Sequence, residues 1–142
     1  MIGDLEASIV DACKLAGRLR SEVGLIAVSK RQPDARIAAA LEYGARIFGE
    51  NQIQEAKKRW QPLKPHYPDL SLHLIGPLQS NKVSDAVLLF DYIHTVDRDK
   101  IARLLAAEME SQNKQIPCFI QVNIGNEDQK SGISPREVVS FV

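Results

Sequence analysis

The sequence predicts an α/β protein built on a parallel sheet. Short apolar runs of strand length alternate five times with segments whose apolar residues recur at helical spacing, and the connections between them are short. Such an alternation implies right-handed βαβ units. Five units fit either an open doubly wound sheet or part of an eight-stranded barrel. The chain reads as one domain, residues 1–142, without repeat, low-complexity tract or internal boundary.

Residues 4–20 place Leu5, Ile9, Cys13, Ala16 and Leu19 on one stripe, which predicts an amphipathic helix. Leu25–Ser29 follows as the first strand. Pro33 suits the first turn of a helix, where its missing N–H costs nothing, and Gly44 suits the left-handed stop after Ile37, Ala38 and Leu41. Arg46–Gly49 is the second strand and Gln52–Trp60 the next helix. Pro62, Pro65 and Pro68 mark an extended loop. Ser71–Ile75 is the third strand, with a helix over 80–90, and Tyr92–Val96 the fourth. Asp97 is placed to cap a helix that buries Ile101, Leu104, Leu105 and Met109. Cys118–Ile124 is the fifth strand, and Ser134-Pro135-Arg136-Glu137 has the form of a capping box.

Composition excludes several classes. Eighteen basic and eighteen acidic residues cancel, so no overall field draws the chain to nucleic acid or an anionic membrane. No apolar run approaches the roughly 18 residues of a spanning helix, and MIGDLEASIV lacks the form of a signal peptide, so a cytoplasmic location is expected. Cys13 and Cys118 are far apart without a CxxC partner and read as reduced, buried, small apolar residues.

In parallel α/β folds ligands bind at the carboxyl ends of the strands. There the sequence places Ser29-Lys30, then Phe48-Gly49-Glu50-Asn51, then Gly76 to Lys82 behind His73. His94-Thr95 with Asp97 follows, and finally Gln121 and Asn123 before Gly125-Asn126. Polar or permissive residues at all five ends point to a site.

Lys30 is the sharpest of these. At neutral pH only about one free lysine in 2,500 is the neutral amine. Burial against apolar walls would disfavour the ammonium, leaving a nucleophile able to form a Schiff base with an aldehyde. A lysine that merely snorkels from a strand end into water is the competing reading. His73, His94 and Asp97 invite a metal site but lack HxH or HExxH spacing, so histidines satisfied in the core by backbone partners are the plainer expectation. Glu50-Asn51 stands where a P-loop would need Lys-Ser/Thr. Gln79–Lys82 suits either an anion or the start of the helix over 80–90.

Six motifs then occur in one order: AVSK at 27–30, FGEN at 48–51, HLIGPLQSNK at 73–82, HTVD at 94–97, QVNI at 121–124 and KSGI at 130–133. From residue 25 onward the chain resembles the YggS/PROSC-type pyridoxal phosphate homeostasis family (PLPBP in animals). The resemblance implies a parallel (β/α) barrel of the alanine-racemase N-terminal, TIM-barrel-like type. It implies pyridoxal 5′-phosphate as the cofactor, held as an imine by Lys30. By motif match it further implies Asn51, His73 and Asn123 as pocket residues, Ser80-Asn81-Lys82 as a loop at the mouth, and Lys130 as a rim residue without a catalytic role.

Members of that family are regarded as carriers and buffers of the cofactor, acting on amino- and keto-acid balance without robust turnover. Racemisation needs a proton donor or acceptor on each face of a planar imine, and none of Tyr43, Tyr67 and Tyr92 falls at a strand end. A racemase-like enzyme and a metal-dependent barrel hydrolase are the alternatives, together with an incomplete barrel that binds little or no cofactor. Barrels of eight units take about 250 residues and at least about 200, so about five of eight units are expected here. The family's Ser/Gly-rich phosphate segment and the arginine near its pyridine nitrogen have no match in these residues. A truncated product and a short protein that completes its sheet with another chain both fit. Either would leave the first and fifth strands as open edges, templates for self-association.

Overall fold

The computed structural model describes residues 2–125, 127 and 129–142. Helix α1 (Ile2–Leu15) precedes five alternations: β1 (Ala27–Val28), α2 (Asp34–Tyr43), β2 (Ile47–Glu50), α3 (Ile53–Trp60), β3 (Ser71–Leu74), α4 (Val83–Leu89), β4 (Tyr92–Val96), α5 (Asp99–Ser111) and β5 (Cys118–Ile120). A short α6 (Val138–Phe141) follows. All strand pairs are parallel, and the sheet order is β1-β2-β3-β4-β5.

That order separates the two architectures left open above. A doubly wound sheet reverses its strand order and carries helices on both faces. When order follows the sequence throughout, right-handed crossovers put every helix on one side, as in a barrel wall. Burial agrees. Phe48, Leu72, Leu74 and Ile93, at alternate positions of β2–β4, are at most 1% exposed and share a core with Ala56, Trp60, Ala86, Val87, Phe90 and Ile101. Full burial of one such large apolar side chain stabilises by about 1.5–3 kcal/mol. Trp60 sits with its ring centroid 4.6 Å from Phe48, so α3 is seated on β2 by two aromatics. The opposite parity is less covered: Val28 is 47% exposed and Phe119 49%.

Several boundaries differ from expectation. The first helix stops at Leu15, because Gly17 takes a left-handed φ of +63° and a separate 3-10 turn follows at Arg20–Glu22. Its apolar stripe is mostly uncovered, with Cys13 buried but Leu5 and Leu19 exposed. Cys118 is exposed rather than buried, since β5 is an edge strand. Asp97 does not cap α5; Arg98 is the flanking residue and Asp97 pairs with it instead. The fifth strand is shorter than predicted because the β4–β5 register slips between Ile93–Cys118 and Val96–Ile120, after which only Val122 bridges, to Ile133. Gly44 adopts the predicted left-handed stop at φ +105° and donates its N–H to Ala40 and Leu41. Glu137 reaches back to the Ser134 N–H at 3.2 Å, half of the predicted capping box.

Candidate functional site

Strand alternation divides the carboxyl-end residues into two layers. Val28 pairs with Gly49, and both lie on the side without helices, where Gly49 fits between Ile26 and Ile75. Two residues further on are Lys30 and Asn51. The intervening Ser29 and Glu50 are 3% and 0% exposed and belong to the helix side. In both SK and EN, the first residue therefore serves the fold and the second the open rim.

The helix-side layer is a charged cluster. Oε1 of Glu50 accepts hydrogen bonds from Ser29 Oγ at 2.7 Å, Arg59 Nη1 at 2.9 Å and Trp60 Nε1 at 2.9 Å. Burial by itself would favour a neutral Arg59. The hydrogen bond and charge of Glu50, with Asp34 and Glu55 adding, outweigh it and hold the guanidinium above its ordinary range. Arg59, and the inward turn of Glu50 toward it and Trp60, escaped the sequence reading, which had Glu50 only as a strand-end residue. The signal available was a carboxylate at a strand end with an Arg-Trp pair on the next helix, but only the strand's parity tells that Glu50 faces inward.

At the rim, Lys30 is exposed. This corrects the expectation of an amine enclosed by apolar walls: Lys30 follows β1, which lies at the edge of the sheet. Asn51 is half-buried. Its backbone is packed so closely on Gly76 that a Cβ there would lie 2.1 Å from the Asn51 carbonyl oxygen. Gly76 is thereby required for the ends of β2 and β3 to meet, and its own carbonyl accepts from Thr95 Oγ1 at 2.8 Å.

Deeper on the same face, His73 Nδ1 lies 2.8 Å from His94 Nε2, and Ser71 Oγ lies 3.1 Å from His73 Nε2. Tyr92 stacks on His73 at 4.4 Å and Phe119 packs on His94 at 4.6 Å. The histidines thus satisfy each other and a serine, not the backbone partners expected. Burial, then the charge of His94, lowers the pKa of His73 against an opposing pull from Asp91; burial also lowers that of His94. Among the described residues no group of three His, Cys, Asp or Glu could hold a metal ion, so the His73–His94–Asp97 metal reading has no geometry behind it.

The remaining candidates are placed less favourably. Ser80–Lys82 forms a 3-10 turn leading into α4 with no side-chain cap. Ser80 is half-buried and Asn81 exposed. Beside this turn a cavity of about 330 Å³, lined by Gln52, Ile53, Gln54, Pro77, Gln79 and Lys82, opens between the ends of β2 and β3. Asn123 spends its amide on a loop: Nδ2 donates to the Glu127 carbonyl at 2.8 Å, and Oδ1 accepts from the Glu127 N–H at 3.2 Å. Lys130 is exposed and paired with Glu127. Asn126 lies outside the described residues.

This geometry, a sequentially ordered parallel sheet with an amine and an amide at its carboxyl rim, can be set beside known proteins. The family profile described as "Alanine racemase, N-terminal domain" matches residues 5–142. The chain belongs to the alanine racemase N-terminal domain family. Within it, the chain is of the YggS, pyridoxal phosphate homeostasis type. It is 42% identical over 142 residues to the pyridoxal phosphate homeostasis protein of Vibrio cholerae, covering 99% of this chain and 60% of that one. Among solved structures it resembles PipY of Synechococcus elongatus with PLP bound (TM-score 0.74, 34% identity, 94% of this chain and 63% of that one). A protein from Bifidobacterium adolescentis superposes at TM-score 0.88 with 27% identity over 99% of this chain and 60% of that one. The chain thus spans about 60% of the length of the curated relatives it matches. Its five parallel strands alternating with helices are part of the barrel-like fold of this family. No described helix is long and apolar enough to cross a membrane.

Proposed function

We propose that this chain binds pyridoxal 5′-phosphate through the amine of Lys30 and serves intracellular homeostasis of that cofactor, and through it amino- and keto-acid balance, rather than turnover of a substrate. The observation that carries the reading is the placement of Lys30. It stands at the carboxyl end of β1, on the face without helices, one strand from Asn51, in a turn held by buried charges. The cofactor supplies an aldehyde, with which a primary amine condenses and releases water. The residues present fit that end of the group: Lys30 is exposed, and neither its amine nor the Asn51 amide is engaged in a hydrogen bond among the described residues. His73 lines the same face below, and Ser80 and Asn81 lie in the turn between Gln79 and Lys82, which line the rim cavity. The name of the relatives and the PLP-bound PipY structure support the assignment.

Because Lys30 is exposed rather than enclosed, the chain holds the cofactor weakly. Titration of purified protein with pyridoxal phosphate, followed by absorption of the imine, tests this. Lys30→Ala abolishes the band, and borohydride reduction fixes the label on Lys30 in the parent. Persistence of the band in Lys30→Ala shows that another lysine is the anchor; submicromolar saturation of a monomer refutes weak retention. Proton exchange at the Cα of an amino acid in heavy water would move the assignment to a racemase-like enzyme.

A further inference from the structure

The Glu50–Arg59 pair reaches further than the core. The side chain of Arg59 is 13% exposed, and its N–H groups are spread over the turn that carries Lys30. Nη1 donates to the Ser29 carbonyl at 3.3 Å, Nη2 to the Gln32 carbonyl at 3.1 Å, and Nε to Asp34 at 3.3 Å. One guanidinium thus grips the backbone on both sides of Lys30. Between those carbonyls Arg31 takes a φ of +56°, a left-handed conformation that residues other than glycine rarely adopt. Its N–H is held by Glu55 Oε1 at 3.3 Å, and Glu55 in turn lies 3.6 Å from Arg59. A conformation of that kind persists only where its surroundings over-determine it.

Stability alone does not account for the arrangement. A buried ion pair gains little over apolar packing of the same volume, because both charges lose their hydration. The second carboxylate oxygen of Glu50 is buried without a hydrogen-bond partner among the described residues, a further cost. What the pair achieves is directional: Glu50 fixes the guanidinium, and the planar fork of the guanidinium fixes two carbonyls at once.

We infer that Arg59, oriented by Glu50, is a positioning residue that presents the Lys30 amine at the rim for an aldehyde cofactor of the pyridoxal phosphate class. The inference rests on the assignment of Lys30 as the anchor. Lysine at position 59 keeps the charge against Glu50 but lacks the fork and reaches only one carbonyl. In Arg59→Lys, native-state hydrogen exchange at the Gln32 N–H, which donates to Ser29, quickens at least tenfold without ligand. The fraction of borohydride-fixed pyridoxal phosphate found on Lys30, relative to the other lysines, falls at least tenfold, while circular dichroism remains that of the parent. Should Arg59→Lys not fold, Glu55→Gln carries the same test with about a threefold effect in both readouts.

A folded variant with unchanged exchange and unchanged Lys30 selectivity overturns the positioning role and leaves the anchor standing. A parent protein in which Lys30 is labelled no more than other lysines overturns the anchor, and the purpose assigned to Arg59 with it.

Discussion

The histidine pair sets a stability that depends on pH. With His73 Nδ1 and His94 Nε2 at 2.8 Å, one nitrogen must carry the shared proton and the other must accept it. Two imidazolium rings cannot meet this way, so the native pair takes up at most one proton beyond neutrality. In the unfolded chain both rings titrate near pH 6.5, and at pH 5 each is almost fully charged. The native state therefore binds at least one proton fewer. Both native pKa values are lowered, so the stabilising contribution is present above about pH 6.5 and is lost as pH falls through the native values. One forbidden protonation costs about 2 kcal/mol at pH 5 relative to pH 8, and two cost about 4. Urea unfolding at both pH values measures the loss. Carboxylates titrate over the same interval, so the decisive quantity is the difference from His94→Gln, whose amide can serve His73 Nδ1 without a charge of its own. The expected result is that the variant loses less than the parent between pH 8 and 5, by up to about 2 kcal/mol for the one forbidden protonation removed, since the burial that lowers His73 remains. Equal losses would refute the shared-proton geometry.

Two further substitutions probe the frame around the site. Gly76→Ala puts a methyl group 2.1 Å from the backbone oxygen of Asn51, an obstacle that cannot rotate away. A loss at or above the upper end of the usual 1–3 kcal/mol for overpacking is expected in urea unfolding, with a displaced Asn51 amide resonance in NMR spectra. Lys114 donates its Nζ to the carbonyls of Val87, Leu88 and Phe90, closing the end of α4, and burial lowers its pKa. Lys114→Met keeps the stem and leaves those acceptors without their donor, with an expected loss of about 1 kcal/mol in the same assay.

The elements with strong local punctuation were legible in the sequence. Tyr92–Val96 matches its predicted bounds, and Gly44 ends α2 as its position demands. Boundaries were missed where long-range pairing decides them. The ladder of β1 is limited to Ala27–Val28 by its one neighbour, and β5 is cut short by a register slip that no local pattern announces. For the candidate site, Lys30 and Asn51 stand at the strand ends where their motifs put them. Asn123 was drawn into the pocket by its strand, whereas the turn after it takes up its amide. The enclosure expected around Lys30 depended on a neighbour at the first strand's open edge, and among the described residues β1 pairs only with β2.

The hidden residues follow from the same alternation that exposes the visible ones. A strand end that sends Lys30 and Asn51 to the open face must send Ser29 and Glu50 to the helices. A carboxylate sent there requires donors, which the last turn of α3 provides as Arg59 and Trp60. Arg59 also binds the backbone of the neighbouring strand end, so that two adjacent strands are locked at their carboxyl tips around one buried oxygen. An exposed amine on an edge strand would otherwise be among the most mobile groups of the molecule, since β1 is paired on one side alone. Its placement is therefore set from behind, through the sheet, by residues that no ligand would touch.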